Sequence, residues 1–189
     1  MALHVLEHPL VVAADDYAST AHDSIGQLEP YTGKPYSAHT RAVARVVATY
    51  VDSPEVVAAA HLHDIIEDTG ESKAELLARF GPVVAGLVDE VSSKATPEMG
   101  NRATRVVWEI RRIAGISANA KGIKCGDVVV TMSTIVARAP HFARTYIPEK
   151  RALLESLRGA HPQLLDLATE AVCQAERELR ALSCRKMRP

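Results

Sequence analysis

The chain has 189 residues, 47% of them apolar but with only two Phe, one Trp and five Tyr, which is enough for one domain with a core of Ala, Val, Leu and Ile. Twenty-two Lys and Arg against 23 Asp and Glu leave a formal charge of −1, so neither a nucleic-acid polymer nor an acidic membrane is an expected partner. No stretch nears the ~18 apolar residues of a membrane span, no leader pattern opens the chain, and Cys125, Cys173 and Cys184 are too far apart for a zinc knuckle, all consistent with a reducing cytoplasm.

The apolar residues recur with helical rather than alternating period, and predict helices at about 9–26, 37–51, 54–67, 72–80, 82–94, 97–114, 118–138, 148–158 and 162–184. This is an all-α fold, a compact bundle of about eight to nine helices with a core over about 13–157. The first helix carries His22. The longest loop, 27–36, holds Pro30, Gly33 and Pro35 and is too short for an interdomain linker. In the helix from Ser37, His39 shares a face with Val43, Val46 and Val47, while Arg41 and Arg45 project to solvent on the other side. Ser53-Pro54-Glu55 starts the next helix, Ser72 to Glu75 has the spacing of a capping box, and Gly81 ends that short run. Thr96-Pro97-Glu98 repeats the first signal, and Gly159 terminates the helix before the last. The basic tail, Arg185, Lys186 and Arg188, is expected to be solvated.

Chemistry concentrates in His63-Asp64-Ile65-Ile66-Glu67-Asp68. On a continuous helix these four polar groups span an arc of about 140°, with His61 pointing away. Three carboxylates and an imidazole on one arc repel and desolvate one another, so the segment is either an acidic, solvated helix end or one side of a divalent metal site. On the 118–138 helix, Asp127 shares a face with Lys124, Thr131 and Thr134. It is either a buried partner of Lys124 or a further ligand. His39, His63, Asp64 and Asp127 together make a mixed nitrogen and oxygen set suited to manganese, iron or zinc.

His39, His63-Asp64 and Asp127, in that order on successive helices, resemble the metal-binding signature of HD-domain phosphohydrolases. Gly33-Lys34-Pro35-Tyr36-Ser37-Ala38-His39, the run Ala59 to Thr69, Phe80-Gly81 and Val88-Asp89-Glu90-Val91-Ser92 are similar to the RelA/SpoT hydrolase domain over roughly Ala13 to Leu157. The length matches the stand-alone small alarmone hydrolases. The resemblance implies that His39, His63, Asp64 and Asp127 hold one manganese ion, that Glu67 and Asp68 position and deprotonate the attacking water, and that pyrophosphate leaves the 3′ position of a guanosine alarmone. It also makes His22, Lys94, Lys124, Thr131 and Tyr146 candidate substrate contacts, against plainer roles as a buried histidine, surface charge or a core aromatic. Cys125 reads as core packing. Thr20, Ala21, Thr131 and Ser133 stand where the family carries residues that hold base, ribose and phosphates. The expected ligand is therefore a small nucleotide, (p)ppGpp first, with another phosphorylated nucleotide such as NADPH, or a nucleotide-sensing module without turnover, as alternatives.

Overall fold

The computed structural model describes residues 4–30 and 32–186, with side chains to Ser183. The basic tail therefore lies outside the described side chains. After a 3₁₀ turn at His4–Glu7 the chain forms α1 (Pro9–Ser24), α2 (Ser37–Ala48), α3 (Pro54–His61), α4 (Ile65–Asp68), α5 (Lys73–Val91), α6 (Arg102–Ile113), α7 (Ala118–Arg138), α8 (Pro140–Ser156) and α9 (Pro162–Lys186). No strand is formed among the described residues, the 27–36 loop closing on itself by a single bridge between Leu28 and Pro35. No described helix is long and apolar enough to cross a membrane.

Local chemistry accounts for most boundaries. Ser53 Oγ accepts from Val56 N at 3.4 Å and Ser72 forms a full capping box with Glu75. Gly81, at φ 80°, breaks α5 into the two segments the sequence predicts. Three expectations need correction. The 97–114 helix begins instead at Arg102, capped by Asn101 Oδ1 on Thr104 N at 3.0 Å, and Pro97–Met99 makes only a 3₁₀ turn. The 148–158 helix starts at Pro140, with Pro148 inside it. The 54–67 helix is interrupted: α3 ends at His61, and Leu62 to Asp64 form a turn before α4. The Ala60 carbonyl, which a continuing helix would offer to the Asp64 N–H, lies 2.9 Å from His63 Nδ1 instead.

Helix α7 is central, packing against α2, α3, α5, α8 and α9. Its first turns join the core of α1, α2, α3 and α5, and its later turns join that of α8 and α9. The approach of α2 to α7 depends on Gly126, where a Cβ would lie 2.9 Å from Val47 Cγ2 and 3.3 Å from Val43 Cγ1. Val43 and Val47 are one and two turns beyond His39, so this contact brings His39 beside Asp127. Arg41 is not merely solvated, since its guanidinium bonds Asp15 at 2.8 and 2.9 Å.

Candidate metal centre and its cavity

Three segments carry the four ligand candidates. His39 comes from α2, His63 and Asp64 from the turn after α3, and Asp127 from α7. Single ligand atoms of His39, His63 and Asp64 lie within 4.8 Å of one another. Asp127 Oδ1 is 3.6 Å from His39 Nε2.

The His63 ring is fully buried, and its orientation is set by Ala60. A carbonyl oxygen only accepts, so His63 Nδ1 carries a proton, and in the neutral ring Nε2 presents a lone pair. That lone pair sits 2.9 Å from Asp64 Oδ2 without hydrogen-bond geometry. Two acceptors facing each other at this distance require a positive centre between them, a proton or a cation. The donor set thus fits a divalent ion, and the turn created by the α3 break is what puts Asp64 beside the histidine it follows.

Electrostatics agree with that arrangement. Burial opposes ionisation of Asp64, yet His63 and Lys124 hold its carboxyl well below the usual carboxylate range. Burial likewise opposes a charged Asp127, and Lys150 and Lys124 hold it low. Burial lowers the pKa of His39 despite Asp127, favouring the neutral, ligating ring. For His63 the carboxylates of Asp64 and Asp127 outweigh burial and raise it, so that without an ion the positive centre facing Asp64 is a proton on Nε2.

Tyr36, quoted in the sequence pattern but given no role there, donates from Oη to Asp64 Oδ2 at 2.6 Å. Burial and the adjacent Asp64 push that phenol far above its ordinary range, so it remains a donor. Thr131 Oγ1 donates to Asp127 Oδ1 at 3.1 Å. Lys150 Nζ, also missed, is 3.8 Å from Asp127 Oδ2 and 4.8 Å from the Tyr146 ring centroid. Tyr146 and Asp127 outweigh its burial and keep it a firm cation. Both residues lay in stretches read as loop or helix start, where no periodic signal marks a buried polar group.

The two carboxylates after the turn are held by different supports. Glu67 Oε1 accepts from Ser93 N at 2.8 Å, and the 93–95 segment is itself fastened by Glu109, whose Oε1 accepts from Ala95 N at 2.9 Å. Burial raises the Glu67 pKa against the pull of Lys124. Asp68 Oδ2 accepts from Gln27 Nε2 at 2.8 Å, and Gln27 Oε1 lies 2.6 Å from His22 Nδ1. His22 is buried, contacts Gln27 and does not line the cavity.

A cavity of about 470 Å³ opens over this cluster, lined by Tyr36, His39, Asp64, Glu67, Asp68, Lys124, Asp127, Thr131, Phe142, Tyr146 and Lys150 among others. It continues into a second hollow of about 350 Å³ between α6 and α8, with Glu67, Arg102, Lys124, Tyr146 and Lys150 on the shared wall. Volumes of this size suit a nucleotide-sized ligand. Lys94 is not brought to it, its Nζ bonding Asp89 at 2.6 Å. Thr20 Oγ1 turns back on Asp16 O and Ser133 Oγ on Val130 O, and neither lines the cavity.

The profile of the HD domain family matches residues 14–145. The chain is 40% identical over 90 residues, 48% of its length, to the guanosine-3′,5′-bis(diphosphate) 3′-pyrophosphohydrolase of Vibrio cholerae, of which it spans 12%. It is 27% identical over 162 residues to human MESH1, a protein with the same enzyme name, covering 82% of this chain and 88% of that one. A solved structure of a metazoan SpoT ortholog that hydrolyses ppGpp superposes with a TM-score of 0.77 at 25% identity, over 88% of this chain and 95% of its own. The chain thus spans less than a fifth of the length of its bacterial relatives and most of the length of the metazoan one.

Proposed function

The chain belongs to the HD domain family, and we propose that it is a metal-dependent phosphohydrolase that removes pyrophosphate from a guanosine 3′,5′-bis(diphosphate). The observation that carries the reading is the facing of His63 Nε2 and Asp64 Oδ2 at 2.9 Å beside His39 and Asp127, under a nucleotide-sized cavity that Glu67 and Asp68 also line. Relatives matched over most of their own length carry the name of that reaction.

His39, His63, Asp64 and Asp127 would hold the ion, with manganese the first choice and iron and zinc compatible with the same donors. In such a site a divalent ion supplies acidification of a water and neutralisation of phosphate charge. Glu67, whose raised pKa brings it toward the working pH, accepts the proton from the attacking water. Its Ser93 N–H contact fixes which oxygen faces the cavity. Asp68, steadied by Gln27, orients that water. Lys124 and Tyr146, on the cavity wall, bind the substrate. Tyr36 and Thr131 occupy one acceptor site each on Asp64 and Asp127, leaving the remaining lone pairs for the ion.

A second reading, hydrolysis of another phosphorylated nucleotide such as NADPH, is favoured by Thr20 and Ser133, which offer the cavity no charge and turn their hydroxyls onto their own helices. Protein stripped of metal and resupplied with manganese tests both. Pyrophosphate from ppGpp and pppGpp alone supports the alarmone. Turnover confined to another nucleotide replaces it, and silence on every nucleotide overturns the hydrolase.

A further inference from the structure

We propose, building on the hydrolase reading, that Lys150 is a substrate-binding residue that seats the phosphate group beside the metal ligands. Phe142, Tyr146 and Lys150 are spaced four apart on α8 and form one stripe facing the cavity. Phe142 and Tyr146 stack at 5.1 Å between centroids, and the Lys150 ammonium lies 4.8 Å from the Tyr146 centroid. The Tyr146 ring and Asp127 thus place the charge at a defined point on the wall.

The argument rests on what this buried charge has for company. The Lys150 side chain is only 15% exposed, yet Asp127 Oδ2 at 3.8 Å is beyond hydrogen-bond distance. An ammonium has three N–H donors, so even with Asp127 and Tyr146 as partners at least one donor remains for the cavity. Three other lysines are tied down: Lys73 and Lys94 bond Asp89 at 2.8 and 2.6 Å, and Lys121 bonds two carbonyls at 2.8 and 3.0 Å. Lys150 also sits against a candidate metal ligand, where its charge repels a divalent ion. A cation in that position suits a residue that receives an anion. Lys124, one turn before Asp127 on α7, lines the same two hollows and makes no ion pair among the described residues. The two ammonium groups, beside the residues that would hold the ion, make a seat for the doubly charged end of a phosphate ester.

The test uses manganese-loaded protein and inorganic pyrophosphate as the probe, with binding measured by calorimetry and metal content checked afterwards. Lys150→Met should bind manganese at least as tightly as the wild type and pyrophosphate about 10- to 100-fold more weakly, the size of one hydrogen bond to a charged group. Lys150→Arg, which keeps the charge, should recover most of that loss. In turnover the Met variant should lose KM before kcat. Unchanged pyrophosphate affinity in Lys150→Met overturns the proposal, and so does loss of manganese, which would make Lys150 a support for Asp127. Binding is read separately from turnover: pyrophosphate affinity that depends on Lys150 in a protein that cleaves no nucleotide keeps this seat and removes the hydrolase.

Discussion

The Tyr36 hydroxyl, 28 residues distant in sequence, donates to Asp64 Oδ2 at 2.6 Å, the same oxygen that faces His63. The contact fixes the carboxylate's rotation, and with it the direction of the lone pair left for an ion. Tyr36→Phe keeps the ring contacts to His22 and His39 and removes only the donor. Manganese affinity should fall about 10- to 100-fold in calorimetry, as outer-shell losses commonly do, with the fold intact by circular dichroism. Affinity equal to the wild type would show that Asp64 needs no such support.

The ligand and proton-transfer roles separate by substitution. His63→Ala and Asp64→Asn should lose bound manganese, measured as metal content after dialysis. Glu67→Gln should retain it, because the 2.8 Å contact from Ser93 N survives in the amide. Metal retained by His63→Ala would remove that histidine from the centre.

The placement of His39 beside Asp127 depends on a close helix approach. In Gly126→Ala the new methyl meets Val47 Cγ2 at 2.9 Å, and overpacking of this kind costs about 1–3 kcal/mol. Gly122→Ala, on the same helix, meets only Leu164 Cδ1 at 3.4 Å, and helix propensity favours it by up to about 1 kcal/mol. Urea unfolding should therefore move the midpoint down for Gly126→Ala and not for Gly122→Ala. Equal midpoints would show that α2 shifts freely away from α7.

Among the carboxylates away from the metal ligands, Asp15 contributes to acid stability. Burial raises the Asp15 pKa, but His61 and Arg41 beside it outweigh that and hold it at about 2, against an ordinary 3.8. A carboxyl depressed in the folded state contributes its full stabilisation above the unfolded pKa and loses it as pH falls through the folded one. For a partly exposed group this is about 1–2 kcal/mol, lost between about pH 4 and pH 2. Asp15→Asn should flatten the urea midpoint against pH in that window, and an unchanged slope would assign the acid sensitivity elsewhere.

How much of this the sequence discloses differs by kind of signal. Helices marked by caps and apolar period, such as Pro9–Ser24 and Ala118–Arg138, are legible within a residue or two. The break after His61 is not, because no Gly or Pro marks it and the interruption comes from the His63 side chain reaching the Ala60 carbonyl. His39 and Asp127 are readable as single ionisable groups in apolar runs, and His63 and Asp64 as members of a crowded polar cluster. Tyr36 and Lys150 are not, since each acquires its role only when α2, α7 and α8 are packed together. Lys94 had the right chemistry in the right stretch, but Asp89 is nearer than the cavity.

The central claim, that this cavity releases pyrophosphate through a water deprotonated by Glu67, is tested most directly by ppGpp turnover of manganese-loaded wild type against Glu67→Gln at equal metal content. The account predicts pyrophosphate release by the wild type and a rate about 10²- to 10⁴-fold lower in the variant. Equal rates in the two proteins, or no release by a fully loaded wild type, would contradict it.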